Sequence, residues 1–278
     1  MTFEQVGDVP SPAPLVSRQS FCLRPNPARV VMRPFKPNIE PRDLNPTDSR
    51  RMTHIVDRIL TLDPQAVGRQ LADVLENFEG RHRRLLAAFE TRADAVEVVH
   101  SVHSPLTQVQ RQLIGAYFLH EYSFEAAALF NPSMVPHPDQ SALQSGQRRV
   151  VVSLRAVGEG HVSSLTFRSG IVTADGTVVI DPTALLASIP HLQRHVAVAH
   201  RDAIEVTFEP DGDISERVIF PVTEAQSNGI EDARFVDFDD GGRRTFYATY
   251  TAYNGRSIRS ELLETADFER FTMTPLTG

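Results

Sequence analysis

The first part of the chain carries apolar residues at the spacing of an α-helix, from about residue 48 to residue 129. Asp48 or Ser49 is suited to cap the first helix, and Asp63-Pro64 is predicted to start the next one, because proline is favoured in the first helical position. The last helix of this part is predicted from Thr107 to about Leu129. The pattern predicts several antiparallel helices.

After Gly146 the pattern changes to the alternation and short apolar runs that are typical of β-strands. Pro132, Pro136 and Pro138 exclude a helix at the change. The predicted strands are 150–154, 163–167, 171–172, 178–180, 204–208, 218–221, 235–238 and 244–253, with a short helix at 183–186. Short strands separated by Gly and Asp turns predict a sandwich, a barrel or a propeller.

These patterns divide the 278 residues into three parts. Residues 1–26 are rich in proline and small residues, which predicts a disordered tail. Residues 27–130 are predicted to be mainly helical, and residues 131–278 are predicted to form antiparallel β-structure. The predicted fold class is therefore α+β.

The charge of the chain restricts its partners. The formal net charge is −7 and the pI is about 5.8, which argues against a nucleic-acid partner. The one basic run, Arg81-His82-Arg83-Arg84, is interpreted as a solvated helix face rather than a nucleic-acid patch. No apolar run reaches the length of a membrane span, so no membrane partner is expected.

The cysteine and histidine content restricts location and metal chemistry. Cys22 is the single cysteine, and the first residues lack the apolar region of a secretory signal, which predicts a cytoplasmic protein. His120 and Glu121 fall in the last predicted helix, without the second histidine that a zinc helix needs. They are interpreted as polar core or interface groups, and no metal site is predicted.

The stretch 228–235 concentrates the candidate chemistry. Asn228-Gly229 predicts a turn, and Glu231, Asp232 and Arg234 follow at the head of a strand. A carboxylate beside an arginine at such a position can act as a positioned acid. A solvated ion pair at a strand end produces the same pattern, and on these residues alone both interpretations stay open.

This stretch resembles the Glu-Asp-Ala/Pro-Arg motif of glycoside hydrolase family 130, the β-mannoside phosphorylases and their hydrolytic relatives. Four further segments resemble that family in the same order along the chain, and the resemblance runs from about residue 27 to the end. They are 29–35 (RVVMRPF), 113–123 (LIGAYFLHEYS), 130–138 (FNPSMVPHP) and 153–168, which contains SLRA and GEGHVSS.

The resemblance implies the first antiparallel blades of a five-bladed β-propeller after a helical region. It implies an inverting phosphorolysis of β-mannoside oligosaccharides to mannose 1-phosphate, with inorganic phosphate as co-substrate and no cofactor. The match ends before the later blades, so we expect an incomplete propeller that is inactive or nearly so by itself. A β-mannoside hydrolase of the same family is one alternative. A non-catalytic remnant that forms a homo-oligomer through its helical region is the other.

The resemblance also assigns roles to residues. Asp232 matches the general acid, Asn131 the residue that binds the reacting mannose, and Arg155 an arginine of the active centre. These three side chains are expected to converge around one cleft, with Asn131 and Asp232 no more than roughly 15 Å apart, because they must contact one sugar. The remaining candidate substrate-binding residues are His161, Ser164, Arg168, Glu231 and Arg234. Alternation along 163–168 predicts that Arg168 faces the cleft or solvent.

Overall fold

The computed structural model describes residues 16, 18–35, 49–100, 105–198 and 201–276. These residues form four α-helices followed mainly by strands, so the mixed α and β composition that the sequence predicts is confirmed. The helices are α1 (Ser49–Leu60), α2 (Pro64–Phe78), α3 (Leu85–His100) and α4 (Gln108–Tyr117).

Local signals explain where two of the helices begin. The helix α2 begins at Pro64 as predicted, and the Asp63 side chain caps it by accepting a hydrogen bond of 2.8 Å from the Ala66 amide. Thr107 and Gln110 form a capping box at the start of α4. The four helices bury one shared core of Val56, Ile59, Val67, Leu71, Phe89, Val96, Leu113, Ile114 and Phe118.

Gly115 allows α3 and α4 to pack closely. A Cβ atom at this position would lie 1.8 Å from the Phe89 carbonyl oxygen, which is far inside van der Waals contact. A residue without a side chain is therefore required at this crossing.

The predicted continuation of α4 to Leu129 is wrong. The helix ends at Tyr117 and the chain enters β2 (Leu119–Ser123), which pairs antiparallel with β1 (Val30–Pro34). This pairing buries Tyr122, and the following Phe124 is also buried. His120 and Glu121 consequently lie on a strand.

Eleven further strands complete the β-structure, and each strand predicted from the sequence overlaps one of them. They are β3 (Ala128–Pro136), β4 (Arg148–Val157), β5 (Ser163–Val172), β6 (Val178–Ile180), β7 (His191–Val198), β8 (Arg201–Thr207), β9 (Val218–Ile219), β10 (Gly229–Asp240), β11 (Arg243–Tyr253), β12 (Ile258–Thr265) and β13 (Arg270–Pro275). The expected division at residue 130/131 falls inside β3.

These eleven strands form one sheet in the order β3-β4-β5-β10-β11-β12-β13-β8-β7, with β6 and β9 both paired to β5. All neighbours are antiparallel except β5 and β10, which meet through one parallel bridge between Ser163 and Gly229. The bridge joins a group around β3–β5 to a six-stranded group. The sheet does not close within the described residues, so the number of blades stays a prediction.

A cluster of phenylalanines forms the centre of the main β core. Phe167, Phe235, Phe268 and Phe271 come from both groups of strands, and their rings lie 5.6–6.2 Å apart between centroids. Buried aromatic pairs contribute roughly 0.5–1.5 kcal/mol beyond the area that they bury. The two groups of strands therefore share one core.

Three further predictions concern the short helix at 183–186, the basic run at 81–84 and the amino-terminal tail. Residues 183–186 form no helix. The basic run at residues 81–84 is a loop rather than a helix face, and its side chains pair with carboxylates, since Arg83 binds Glu216 and Arg84 binds Glu209. Most of the predicted tail lies outside the described residues. Its described part contacts the β-structure, where the Gln19 side chain accepts a bond from the Val178 amide.

No helix among the described residues is long and apolar enough to cross a membrane.

Candidate functional site

Two β-bulges place the candidate residues. The register of β3 and β4 shifts between Phe130 and Ser133, and the register of β10 and β11 shifts between Glu231 and Arg234. Within the bulges Asn131 has φ 53° and Asp232 has φ 55°. Asn and Asp tolerate this left-handed backbone better than other residues with side chains, and bulges are often found beside active sites.

The two bulged strands are bound to each other. Arg234 Nη1 donates to the Pro132 carbonyl oxygen at 2.8 Å, and the Phe235 amide donates to Ser133 Oγ at 2.9 Å. Neither contact belongs to the regular ladder of the sheet. Arg234 therefore holds β10 against β3, which is a positioning task.

Asp232 is the meeting point of the cluster. Asn131 Nδ2 donates to Asp232 Oδ1 at 2.5 Å, and Arg155 Nη1 donates to the same oxygen at 3.2 Å. The predicted convergence of these three side chains is confirmed. Asp232 Oδ2 receives no hydrogen bond from the described residues, and 43% of the side chain is exposed. One oxygen is thus fixed while the other is open to a ligand.

Arg155 connects the rest of the cluster. Its Nη2 donates to Glu231 Oε1 at 2.6 Å and its Nε donates to Ser163 Oγ at 3.0 Å. The guanidinium lies 5.1 Å from the centre of the Phe130 ring, within the range of a cation–π contact. Arg155 is therefore held by Ser163, by Phe130 and by two carboxylates. It keeps the carboxylates of Glu231 and Asp232 beside each other.

Phe130 was not predicted as a site residue, and Ser163, which lies in the matched segment 153–168, was given no definite role. Phe130 is the cross-strand partner of Arg155 on β3. Ser163 is a diagonal neighbour on β5, two residues from the direct partner Leu165. Both positions follow from the strand register, which the sequence pattern alone did not supply.

Arg168 lies outside the cluster, and the expectation that it faces the cleft or solvent is wrong. It is buried, and its Nη2 donates to Glu125 Oε2 at 3.0 Å. Arg29 Nη1 donates to the other oxygen of Glu125 at 2.7 Å. Burial, reinforced by the nearby Arg29 charge, lowers the pKa of Arg168 to about 10. The face of β5 that carries Arg168 is covered by residues that flank β1 and β2.

The two other predicted residues of this loop and strand also contribute no contact to the cluster. Ser164 is fully buried on the same face of β5 as Arg168, and its hydroxyl has no hydrogen-bond partner among the described residues. His161 is exposed, in a short 3-10 turn at residues 159–161, with φ 62°. A role of either residue toward substrate remains a prediction.

Two cavities lie elsewhere in the molecule. One, of about 400 Å³, is lined by polar residues that include His137, Asp181 and Asp267. The other, of about 750 Å³, lies beside α3. Neither is lined by Asp232, Asn131 or Arg155. Among the described residues no group of three or more His, Cys, Asp or Glu side chains is arranged to hold a metal ion.

Comparisons with known proteins give structural similarities only. No protein-family model matches the sequence, and no curated protein matches it. One similar solved structure is described by the words "The GH130 family of mannoside phosphorylases contains glycoside hydrolases that target beta-1,2 mannosidic linkages in Candida mannan". Another is a glycosyl hydrolase from Bacteroides ovatus.

Both structures are 19% identical to this chain, with a TM-score of 0.31, and the alignment covers 55% of this chain. The chain spans 33% of the length of each. The geometry of the cluster and the ordered motifs, rather than these similarities, support the proposal below.

Proposed function

We propose that this chain carries the acid-bearing part of the active site of a glycoside phosphorylase that acts on β-mannosides. The reaction is an inverting phosphorolysis that releases mannose 1-phosphate, with inorganic phosphate as co-substrate. We also propose that the fold is a five-bladed propeller and that the protein is cytoplasmic. The helices are proposed to form homo-oligomer contacts.

The main support for the proposal is the contact of Asp232 with Asn131 and Arg155. Asn131 and Asp232 are 101 positions apart in the chain, and both depart from regular strand geometry at the point where they meet. Backbone strain of this kind costs roughly 1–3 kcal/mol per residue and is concentrated at functional sites. A structural ion pair at a strand end requires neither bulge.

In the proposed reaction the two oxygens of Asp232 have different tasks. Oδ1 is fixed by Asn131 and Arg155. Oδ2 is the oxygen that holds the proton and gives it to the glycosidic oxygen, directly or through a sugar hydroxyl. Phosphate attacks the anomeric carbon from the opposite face, the bond to the leaving sugar breaks, and the leaving oxygen takes the proton. No base is needed, because phosphate is already anionic.

Hydrolysis of the same bond is the second candidate. Water, unlike phosphate, needs a general base, and an inverting hydrolase uses a second carboxylate for this. Glu231 is the neighbouring carboxylate on Arg155, bound through Oε1 only. The dependence of turnover on phosphate distinguishes the two reactions.

The test measures mannose 1-phosphate and free mannose released from β-mannobiosides of different linkage, with and without phosphate. Asp232→Asn is expected to lower phosphate-dependent release by about 100-fold or more, the usual contribution of a general acid. Asp240→Asn, which changes an exposed aspartate at the far end of the same strand, is the matched control and should retain turnover.

Phosphate-independent release of mannose would favour the hydrolase. If the chain needs further groups for turnover, β-mannobioside should still bind, and Asp232→Asn should weaken that binding. Equal turnover or binding by the wild type and Asp232→Asn would contradict the proposal.

A further inference from the structure

The cavity beside α3 is a groove between the helices and the β-structure, here called the α3 groove. Its walls are α3 on one side and residues 187–191 on the other, and β1 and the first residue of β2 also line it. Its volume of about 750 Å³ lies within the range of small-molecule sites, which occur preferentially between structural units. It shares no residue with the Asp232 cluster, so it does not depend on the proposed function.

The walls of the α3 groove are mainly apolar. Ala88 and Ala95 lie seven residues apart on α3, and their small side chains leave the groove open on one helix face. Leu119, Ile189 and Pro190 add larger apolar side chains to the lining. Such walls fit an aliphatic chain better than a sugar or a nucleotide.

Arg92 is one of the charged residues that line the groove. It lies on the same face of α3, four residues after Ala88. Its Nε donates to the Phe118 carbonyl oxygen at 2.9 Å and its Nη2 donates to the Phe35 carbonyl oxygen at 3.3 Å. Among the described residues no carboxylate pairs with it. Burial lowers the pKa of Arg92, because the cation is partly removed from water without an anion beside it.

The other arginines of the α3 groove are already neutralised. Each has a carboxylate partner: Arg83 pairs with Glu216 and Asp211, Arg84 with Glu209, and Arg217 with Glu269. These pairs also use the carboxylates that line the groove, Glu209 and Asp211. Among the described residues, Arg92 is therefore the arginine of the groove that has no carboxylate partner.

We propose that the α3 groove binds a small amphipathic acid, with its carboxylate on Arg92 and its aliphatic chain along Ala88, Ala95 and Pro190. A guanidinium pairs a carboxylate through charge-assisted hydrogen bonds, and Arg92 Nη1 has no partner among the described residues. The positive charge of Arg92 matches the carboxylate of such an acid, and the apolar residues of the groove match its aliphatic chain.

The probe is decanoate, titrated into the full chain by isothermal titration calorimetry, with 1-decanol as the uncharged analogue of equal chain length. Saturable binding of decanoate is expected, with the alcohol about tenfold weaker or worse, because it cannot form the charged contact. Arg92→Gln should weaken decanoate by a similar factor while keeping a donor for the Phe118 carbonyl. Arg58→Gln, which changes an exposed arginine of α1, is the matched control and should bind as the wild type does.

Ala88→Trp provides a second variant that leaves Arg92 in place. An indole at this position fills the groove, so it should abolish decanoate binding while the far-ultraviolet circular dichroism stays unchanged. Absence of saturable binding to the wild type would overturn the proposal and indicate that another part of this chain or a macromolecule covers the groove. Equal affinity of the wild type and a folded Arg92→Gln, or of the acid and the alcohol, would also overturn it.

Discussion

At the scale of single residues, the left-handed backbone of Asn131 and Asp232 links the fold to the candidate chemistry. Both residues occupy bulges, and their side chains bind each other there. The same geometry explains why Arg155 can reach both carboxylates from one strand.

At position 131 a glycine variant should be more stable than an alanine variant, which is the reverse of the usual order. At φ 53° a side chain is strained, so Asn131→Ala is expected to be less stable than Asn131→Gly by about 1–2 kcal/mol. Both variants lose the bond to Asp232, so their difference reports the backbone alone. Urea unfolding gives the two free energies.

Met134, an exposed residue of the same strand without a positive φ, is the control position. There the alanine variant should be more stable than the glycine variant, by roughly 0.5–1 kcal/mol. If alanine were also the more stable replacement at Asn131, the left-handed conformation would be contradicted.

His137 should make the protein less stable in mild acid. Burial is the main cause that lowers the pKa of His137, and its Nδ1 accepts a hydrogen bond from the Asp139 amide at 2.9 Å. The unfolded chain therefore binds a proton near pH 6.5, at a pH where the folded chain does not. The unfolded state then holds more protons, so the free energy of unfolding falls as the pH is lowered.

The measurement is urea unfolding between about pH 7.5 and pH 5.5 for the wild type and for His137→Asn. The wild type should lose more stability across this interval than the variant, whose residue 137 does not titrate. Parallel pH profiles for the two proteins would show that His137 does not contribute.

At the scale of elements, the crossing of α3 and α4 depends on Gly115. Gly115→Ala is expected to destabilise the protein by about 1–3 kcal/mol, because a methyl group would collide with the Phe89 backbone. Gly68→Ala in α2 is the matched control, since nothing lies within 4 Å of its added Cβ.

The control should stabilise the protein by roughly 0.5–1 kcal/mol through helix propensity. Thermal and urea unfolding show directly whether each variant is more or less stable than the wild type. A stabilising Gly115→Ala would mean that the two helices are not in close contact.

The sequence predicted those elements whose signals are local. Pro64 marked the start of α2, and the Gly and Asp residues between the predicted strands 235–238 and 244–253 marked the hairpin of β10 and β11. β2 was missed because its strand geometry depends on β1, whose Val30 pairs with Ser123 ninety-three positions later. Helical spacing before residue 118 gave no sign of that partner.

The candidate site shows the same division. The ordered motifs were sufficient to predict that Asn131, Arg155 and Asp232 lie close together. Arg168 was misplaced because alternation along β5 identifies two faces but does not reveal what covers each one. Its partner Glu125 lies beyond β2, which was itself not predicted.

At the scale of the whole molecule, a buried ion cluster joins the amino-terminal strands to the large sheet. Arg29, Glu125 and Arg168 come from three distant parts of the chain, and each has a side chain at most 3% exposed. Glu125 is the single carboxylate between two guanidinium groups.

Glu125→Gln should therefore be strongly destabilising, by about 3–5 kcal/mol, because it leaves buried cations without an anion. Asp94→Asn breaks an exposed pair with Arg111 and should cost less than about 1 kcal/mol. Urea unfolding of both variants at neutral pH provides the comparison. Equal, small effects would show that the buried cluster does not hold these parts together.

The central claim is that the Asp232 cluster binds a β-mannoside. The Asn131 side-chain amide reports this contact most directly, because its Nδ2 already touches Asp232 Oδ1. The measurement is a titration of the ¹⁵N-labelled chain with β-mannobioside, with this amide signal identified by its absence from Asn131→Gly. A saturable shift of this signal is expected with β-mannobioside and not with cellobiose. A signal that stays unchanged while β-mannobioside is added, or that moves equally with cellobiose, would contradict it.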